Sequence, residues 1–110
     1  MAAKFEIYKD KAGESRFRLK AGNGEIILSS EGYKSKSSCK NGIESVKKNS
    51  RDAKNFVVSQ TKTGKSRFNL KASNGQVVAV SQSYADESGC QNGIDCVKRD
   101  APGADVVDLS

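Results

Sequence analysis

Arg16, Arg18 and Lys20 alternate with Phe17 and Leu19, so a strand through them lines three cations along one face. Arg67 and Lys71 stand in the same relation to Phe68 and Leu70, with Asn69 between them. Such a row has the chemistry to hold nucleic-acid phosphates, where charge carries most of the affinity. Lys34 and Lys36 flank Ser35 just ahead of a helical pattern. Free helix amides, hydroxyls and cations together suit a phosphate or carboxylate. Arg16, Arg18, Lys20, Lys34, Lys36, Arg67 and Lys71 are therefore the candidate contacts for an anionic partner. Two ordinary roles compete: cations solvate an exposed sheet face and discourage edge pairing, and Ser35 can simply cap the helix. Tyr8 is the one aromatic offered to the same face, whereas a stacking platform for single strands normally uses several.

Catalysis has less to build on. The chain has no histidine, the commonest transition-metal ligand and the usual general base near neutral pH. It carries no nucleophile elbow, phosphate loop, paired-carboxylate motif or metal-ligand cluster, and no cofactor is expected. Three cysteines without a C-x-x-C spacing suit a reducing compartment rather than a disulfide framework. Cys39 and Cys90 fall on apolar stripes and read as small core residues. Cys96 lies toward a helix C-terminus, where the dipole disfavours a thiolate. The alternative to a binding module is an enzyme or enzyme-accessory unit with a small-molecule pocket near Tyr33 and Tyr84, beside Asn41 and Asn92. The plainer role of the two tyrosines is to anchor strand to helix.

The elements that must position these residues come from a duplication. Residues 5–49 and 56–100 align without a gap at 20 identical positions of 45. Identity at that level over a fixed 51-residue offset marks a repeat. The first unit spans residues 1–52 and the second 53–110, and neither is long enough to be stable alone, so they are expected to share one compact core. Lys4 to Tyr8 reads as a strand with Phe5 and Ile7 inward, and Ser15 to Ala21 as a second with Phe17, Leu19 and Ala21 inward. Cys39, Gly42, Ile43 and Val46 fall at helical spacing, as do Cys90, Gly93, Ile94 and Val97. Ser35 and Asp86 are the expected N-caps. A glycine on each apolar stripe implies close approach of helix to sheet, since it costs about 1 kcal/mol against alanine in a helix. The tail Ala104 to Leu109 aligns with Ala53 to Val58, giving a last strand after each helix.

Asn23-Gly24 and Asn74-Gly75 predict two-residue type I′ hairpins. That register puts Ile26 and Leu28 inward with Ile27 outward, and Val77 and Ala79 inward with Val78 and Val80 outward. The outward Ile27, Val78 and Val80 are either covered by lysine stems on a wet face or buried where the two units meet, and Val78 and Val80 are expected to be partly buried.

The charge of +6 sits in the first half: residues 1–55 hold 13 Lys+Arg and 7 Asp+Glu, and residues 56–110 hold 6 of each. No apolar run exceeds four residues, so no helix is expected to span a membrane. The first residues lack the apolar stretch of a signal peptide, which with the cysteines gives a cytoplasmic expectation.

Phe-x-Leu-Lys-Ala-x-Asn-Gly, then Ser-x-x-Tyr, then Asn-Gly-Ile-x-x-Val-Lys, all duplicated, resembles the YegP-like family of small bacterial proteins. The resemblance covers nearly the whole chain. It implies an α+β fold: a tandem duplication of a β-β-β-α-β unit, antiparallel sheets with two helices, and last strands exchanged between the units. Single-unit relatives would form the same arrangement as dimers. No function is assigned to the family, so it carries no catalytic or binding residue over to this chain. The expectation is a small cytoplasmic binding or interaction module without catalysis, a monomer with internal pseudo-two-fold symmetry. Its partner would be nucleic acid or another polyanion held through the basic first repeat.

Overall fold

The computed structural model describes residues 3–110. Met1 and Ala2, part of the stretch read as lacking a signal peptide, lie outside them. The first copy runs β1 (Lys4–Lys9), β2 (Ser15–Lys20), β3 (Ile26–Ser29) and α1 (Lys36–Asn49). A 3₁₀ turn at Ala53–Asn55 leads into β4 (Phe56–Gln60), β5 (Ser66–Lys71), β6 (Val77–Ser81) and α2 (Glu87–Asp100). A second 3₁₀ turn at Ala101–Gly103 delivers β7 (Asp105–Asp108).

All seven strands form one sheet, in the order β4-β5-β6-β3-β2-β1-β7. The copies join through the antiparallel pair β3–β6, where Ser29 faces Val80 and Leu28 faces Ser81. Ser29 and Val80 are equivalent residues of the repeat, so a pseudo-two-fold axis passes between them. α1 packs on the first copy's β2 and α2 on the second copy's β5. Each helix then sends its following strand to the other copy: β4 joins β5, and β7 joins β1. The exchange of last strands that the family resemblance implies is carried by β7, because β4 doubles as the second copy's first strand. Among the described strands, β1–β7 is the one parallel pair.

Amphipathic patterning explains the layers. Phe5, Ile7, Phe17, Leu19 and Leu28 meet Cys39, Ile43 and Val46 of α1 in a dry core, and Phe68, Leu70, Cys90 and Val97 repeat it. Ser35 and Asp86 cap the helices, accepting from the Ser38 and Gly89 amides at 3.1 and 2.8 Å. Tyr33 stacks on Phe17 with ring centroids 6.3 Å apart, and Tyr84 stacks on Phe68 at the same distance. Gly42 lies against that stack. A Cβ there would fall 2.6 Å from the Tyr33 hydroxyl oxygen and 2.9 Å from a Phe17 ring carbon, and Gly93 faces Tyr84 and Phe68 in the same way.

The hairpin register differs from the expected one. Among the described residues only glycines have positive φ, so Asn23 does not adopt the I′ conformation. Instead the Gly24 amide donates to the Ala21 carbonyl at 2.9 Å and the Ala21 amide to that of Glu25 at 2.8 Å. Gly24 sits at φ 88°, and the Asn23 side chain accepts from the Glu25 amide at 3.0 Å. This is a three-residue loop closed by a left-handed glycine. A bulge beyond Leu19 absorbs the extra residue, so Leu19 still faces Leu28 while Lys20 faces Ile26. Ile26 therefore turns outward at 39% exposure and Ile27 is buried at 5%, the reverse of the simple alternation. The second copy repeats the bulge: Lys71 faces Val77, which is exposed, whereas Val78 packs against the core. Val80 retains 36% of its exposure beside Ser29 at the junction between copies.

Candidate functional site

Both helices lie on one side of the sheet, which leaves the other side bare. Pairing registers trace one row across that bare face, through Val57, Asn69, Val80, Ser29, Arg18, Glu6 and Val107. Alternation puts Arg16 and Lys20 on the same face as Arg18, and Arg67 and Lys71 on the same face as Asn69. Five of the seven sequence candidates thus share one surface. Lys34 and Lys36 are placed instead at the start of α1.

In the first copy the cations converge on a carboxylate. Glu6 is 4% exposed and lies 2.8 Å from Arg18 Nε, 3.2 Å from Lys20 Nζ and 3.7 Å from Lys4 Nζ. Burial pushes its carboxyl up, but the hydrogen bonds and charges of Arg18 and Lys20 outweigh that and hold it below the usual carboxylate range. The Arg18 guanidinium also stands 4.6 Å over the Tyr8 ring. Arg16 pairs with Asp10 at 2.6 Å and donates to the Ser30 carbonyl at 3.3 Å. Asp10 accepts in turn from the Ala12 and Glu14 amides, closing the first loop. Lys36 reaches Asp108 of β7 at 2.7 Å, and together with hydrogen bonds from Ser110 this holds the Asp108 carboxyl well below its usual range.

The second copy lacks this network. Val57 stands where Glu6 stands, Asn69 where Arg18 stands, and Ser59 where Tyr8 stands. The Asn69 side-chain oxygen is buried without a hydrogen-bond partner. Among the described residues, Lys34, Arg67 and Lys71 make no ion pair. Sequence reasoning missed Glu6 and the role of Tyr8. Their signal was available in the β1–β2 register, which sets Glu6 opposite Arg18 and Tyr8 opposite Arg16.

The tyrosines face the helices rather than a cavity. Tyr33, Tyr84, Asn41 and Asn92 are absent from the walls of the cleft beside β7, the hollow at the β3–β6 junction, and the hollows beside Pro102 and the first turn of α2. Burial, and then the neighbouring Asp100 carboxylate, push the Cys96 thiol up, while its Sγ donates to Asp100 at 3.4 Å. That environment disfavours a nucleophilic thiolate. No helix among the described residues is long and apolar enough to cross a membrane.

A single mixed sheet built from two copies of one unit, with both helices on one side, defines a tandem-repeat α+β protein. The family model described as a domain of unknown function, DUF1508, matches twice, over residues 10–56 and 62–108. A UPF0339 protein from the ptx operon 5′ region of Stutzerimonas stutzeri is 57% identical over 109 residues, covering 99% of this chain and 98% of the relative. The UPF0339 protein YegP of Escherichia coli is 44% identical, covering 98% of both. The solution structure of E. coli YegP superimposes with a TM-score of 0.93 at 43% identity, covering 99% of this chain and 94% of that one. That of a UPF0339 protein from Shewanella oneidensis gives 0.93 at 40% identity, over 99% and 92%. The chain belongs to the UPF0339, or YegP-like, family.

Proposed function

We propose that the protein is a non-catalytic binding module, working as a monomer, that takes a nucleic acid or similar polyanion on the bare face of its sheet. The observation that carries this reading is the charge balance of that face. Lys4, Arg16, Arg18, Lys20, Arg67 and Lys71 all belong to it, against Glu6, Asp10 and Asp105. Glu6 carries one charge and meets three cations, so it orients them without neutralising them. The second copy adds Arg67 and Lys71, which make no ion pair among the described residues. Arg18, fixed over Tyr8, presents a planar cation suited to phosphate. Exposed Val57, Val77 and Val80 add apolar surface between the cations.

The test is fluorescence anisotropy of a labelled single-stranded 20-mer and its duplex against the full chain, from 50 to 200 mM salt. Affinity is expected to fall steeply with salt, by roughly tenfold or more over that range for a few phosphate contacts. Arg67→Ala with Lys71→Ala, which breaks no internal pair, is expected to weaken binding and flatten the salt slope. Absence of binding at low salt, or binding indifferent to both salt and the double substitution, contradicts the reading.

A further inference from the structure

The sheet is one strand short of its own symmetry. β1, β2 and β3 correspond to β4, β5 and β6, but β7 lies beyond β1 and no described strand lies beyond β4. The seat that β7 occupies in the first copy therefore exists in the second, and it is open. Equivalent residues show the difference. Ile7 is fully buried and Val58 is 46% exposed, although both point to the helix side of the sheet. The first seat is the edge of β1, and between the seated β7 and α1 a cleft of ≈ 270 Å³ remains, walled by Ile7, Lys40, Ile43 and Glu44 and by Val106 and Asp108 of β7 itself. Its counterpart is a groove walled by Val58, Glu87, Ser88 and Gln91.

The occupied seat shows what its ligand must look like. β7 runs parallel to β1, with Val106 beside Phe5, Val107 beside Glu6 and Asp108 beside Ile7. The Leu109 amide donates to the Ile7 carbonyl at 2.8 Å. Val106, still 42% exposed, and Asp108 therefore lie on the helix side of the sheet, and Lys36 at the start of α1 takes Asp108 at 2.7 Å. In the second copy the residue equivalent to Lys36 is Glu87, which makes no ion pair among the described residues. The charge requirement is inverted.

We infer that the open edge of β4 is a strand-addition site for an extended segment of another protein. The segment runs parallel to β4, sets a small β-branched residue beside Phe56 and carries a lysine or arginine beside Val58, where Glu87 receives it. Backbone hydrogen bonds supply the affinity and the alternate inward side chains supply the choice. The same inversion disfavours β7 from a second copy of this chain, because Asp108 would be set against Glu87. A head-to-tail contact of that kind does not close on itself and would grow into filaments. Glu87 thus favours a basic partner strand over the chain's own β7.

The experiment titrates two heptapeptides into the ¹⁵N-labelled full chain. One copies residues 104–110 and the other carries Asp108→Lys. The lysine peptide is expected to shift the Val58, Ser59 and Gln60 amides and to bind about fivefold more tightly than the aspartate peptide, the scale of one half-exposed charge pair. In the Glu87→Lys protein, which carries the residue the first copy already tolerates at this position, the preference is expected to reverse. A Val58→Pro protein, which removes an edge amide that β5 does not use, is expected to lose the shifts at Ser59 and Gln60. No shift on β4 with either peptide, a preference that Glu87→Lys leaves unchanged, or dimers of the free chain joined through β4 would each overturn the inference.

Discussion

The two outer edges of the sheet start from the same repeat and end in different environments. Phe5, Glu6 and Ile7 of β1 are 0, 4 and 0% exposed, whereas Phe56, Val57 and Val58 of β4 are 9, 38 and 46% exposed. The neighbouring hairpins, turns and helix caps are nearly the same on both sides. One four-residue strand, β7, accounts for the difference: it covers the β1 edge and has no counterpart at β4. Polar character follows the covering. The sealed edge holds a buried carboxylate among cations, and the open edge holds valines. A repeat thus fixes the shape of both halves, while the terminal strand decides which half is core and which is available surface.

Substitutions at the two edges should separate most strongly. Ile7→Ala empties a sealed site and is expected to cost about 2 to 4 kcal/mol. Val58→Ala removes a half-exposed side chain and is expected to cost less than about 1 kcal/mol. Urea denaturation of both variants checks the pair, and equal losses would mean that β7 does not seal its seat.

The helix glycines test the opposite proposition, that the interior of the two copies is alike. Gly42→Ala and Gly93→Ala each force a methyl group against a stacked tyrosine and phenylalanine. Overpacking outweighs the gain in helix propensity, for an expected loss of about 1 to 2 kcal/mol at both sites. Thermal unfolding of the two variants should give similar shifts. A large difference would place the asymmetry inside the core rather than at the edges.

Glu6 gives a smaller, pH-dependent contrast. Its folded pKa lies below its unfolded value, so its stabilising contribution is present above about pH 4.3 and is lost as pH falls through the folded value. Glu6→Gln is expected to cost about 1 kcal/mol at pH 7. The variant should also lose less stability than the parent between about pH 4.5 and 3. Denaturation curves at pH 7, 4.5 and 3 measure both effects, and parallel acid losses would show that Glu6 is not held in its charged form.

Most of this architecture is legible in the sequence because its signals are local. Alternation in Arg16 to Lys20, the stripe through Cys39, Gly42, Ile43 and Val46, the caps Ser35 and Asp86, and the repeat itself all depend on near neighbours. Gly42 is legible for a further reason: a helix tolerates glycine on its buried stripe when something must come close, and Tyr33 and Phe17 do. What escaped depends on small geometric choices or distant partners. Asn23 stays out of the left-handed region and accepts from Glu25 instead, which lengthens the loop by one residue and exchanges the roles of Ile26 and Ile27. The parallel pairing of β7 with β1 joins residues about a hundred positions apart, and no local pattern encodes it. Five of the candidate cations share one face because alternation requires it, but Glu6 among them and the pairing of Lys36 with Asp108 appear only once the strands are in place.

Amide hydrogen exchange at two equivalent positions tests the central claim most directly. The Ile7 amide points into the β1–β7 ladder, where its carbonyl accepts from Leu109. The Val58 amide points out from the corresponding edge of β4. In the free protein Ile7 is expected to be protected by at least about a hundredfold over Val58, since local exposure of an edge amide requires little opening. Comparable protection of the two amides, or a better protected Val58, would contradict an open seat beside β4 and the account built on it.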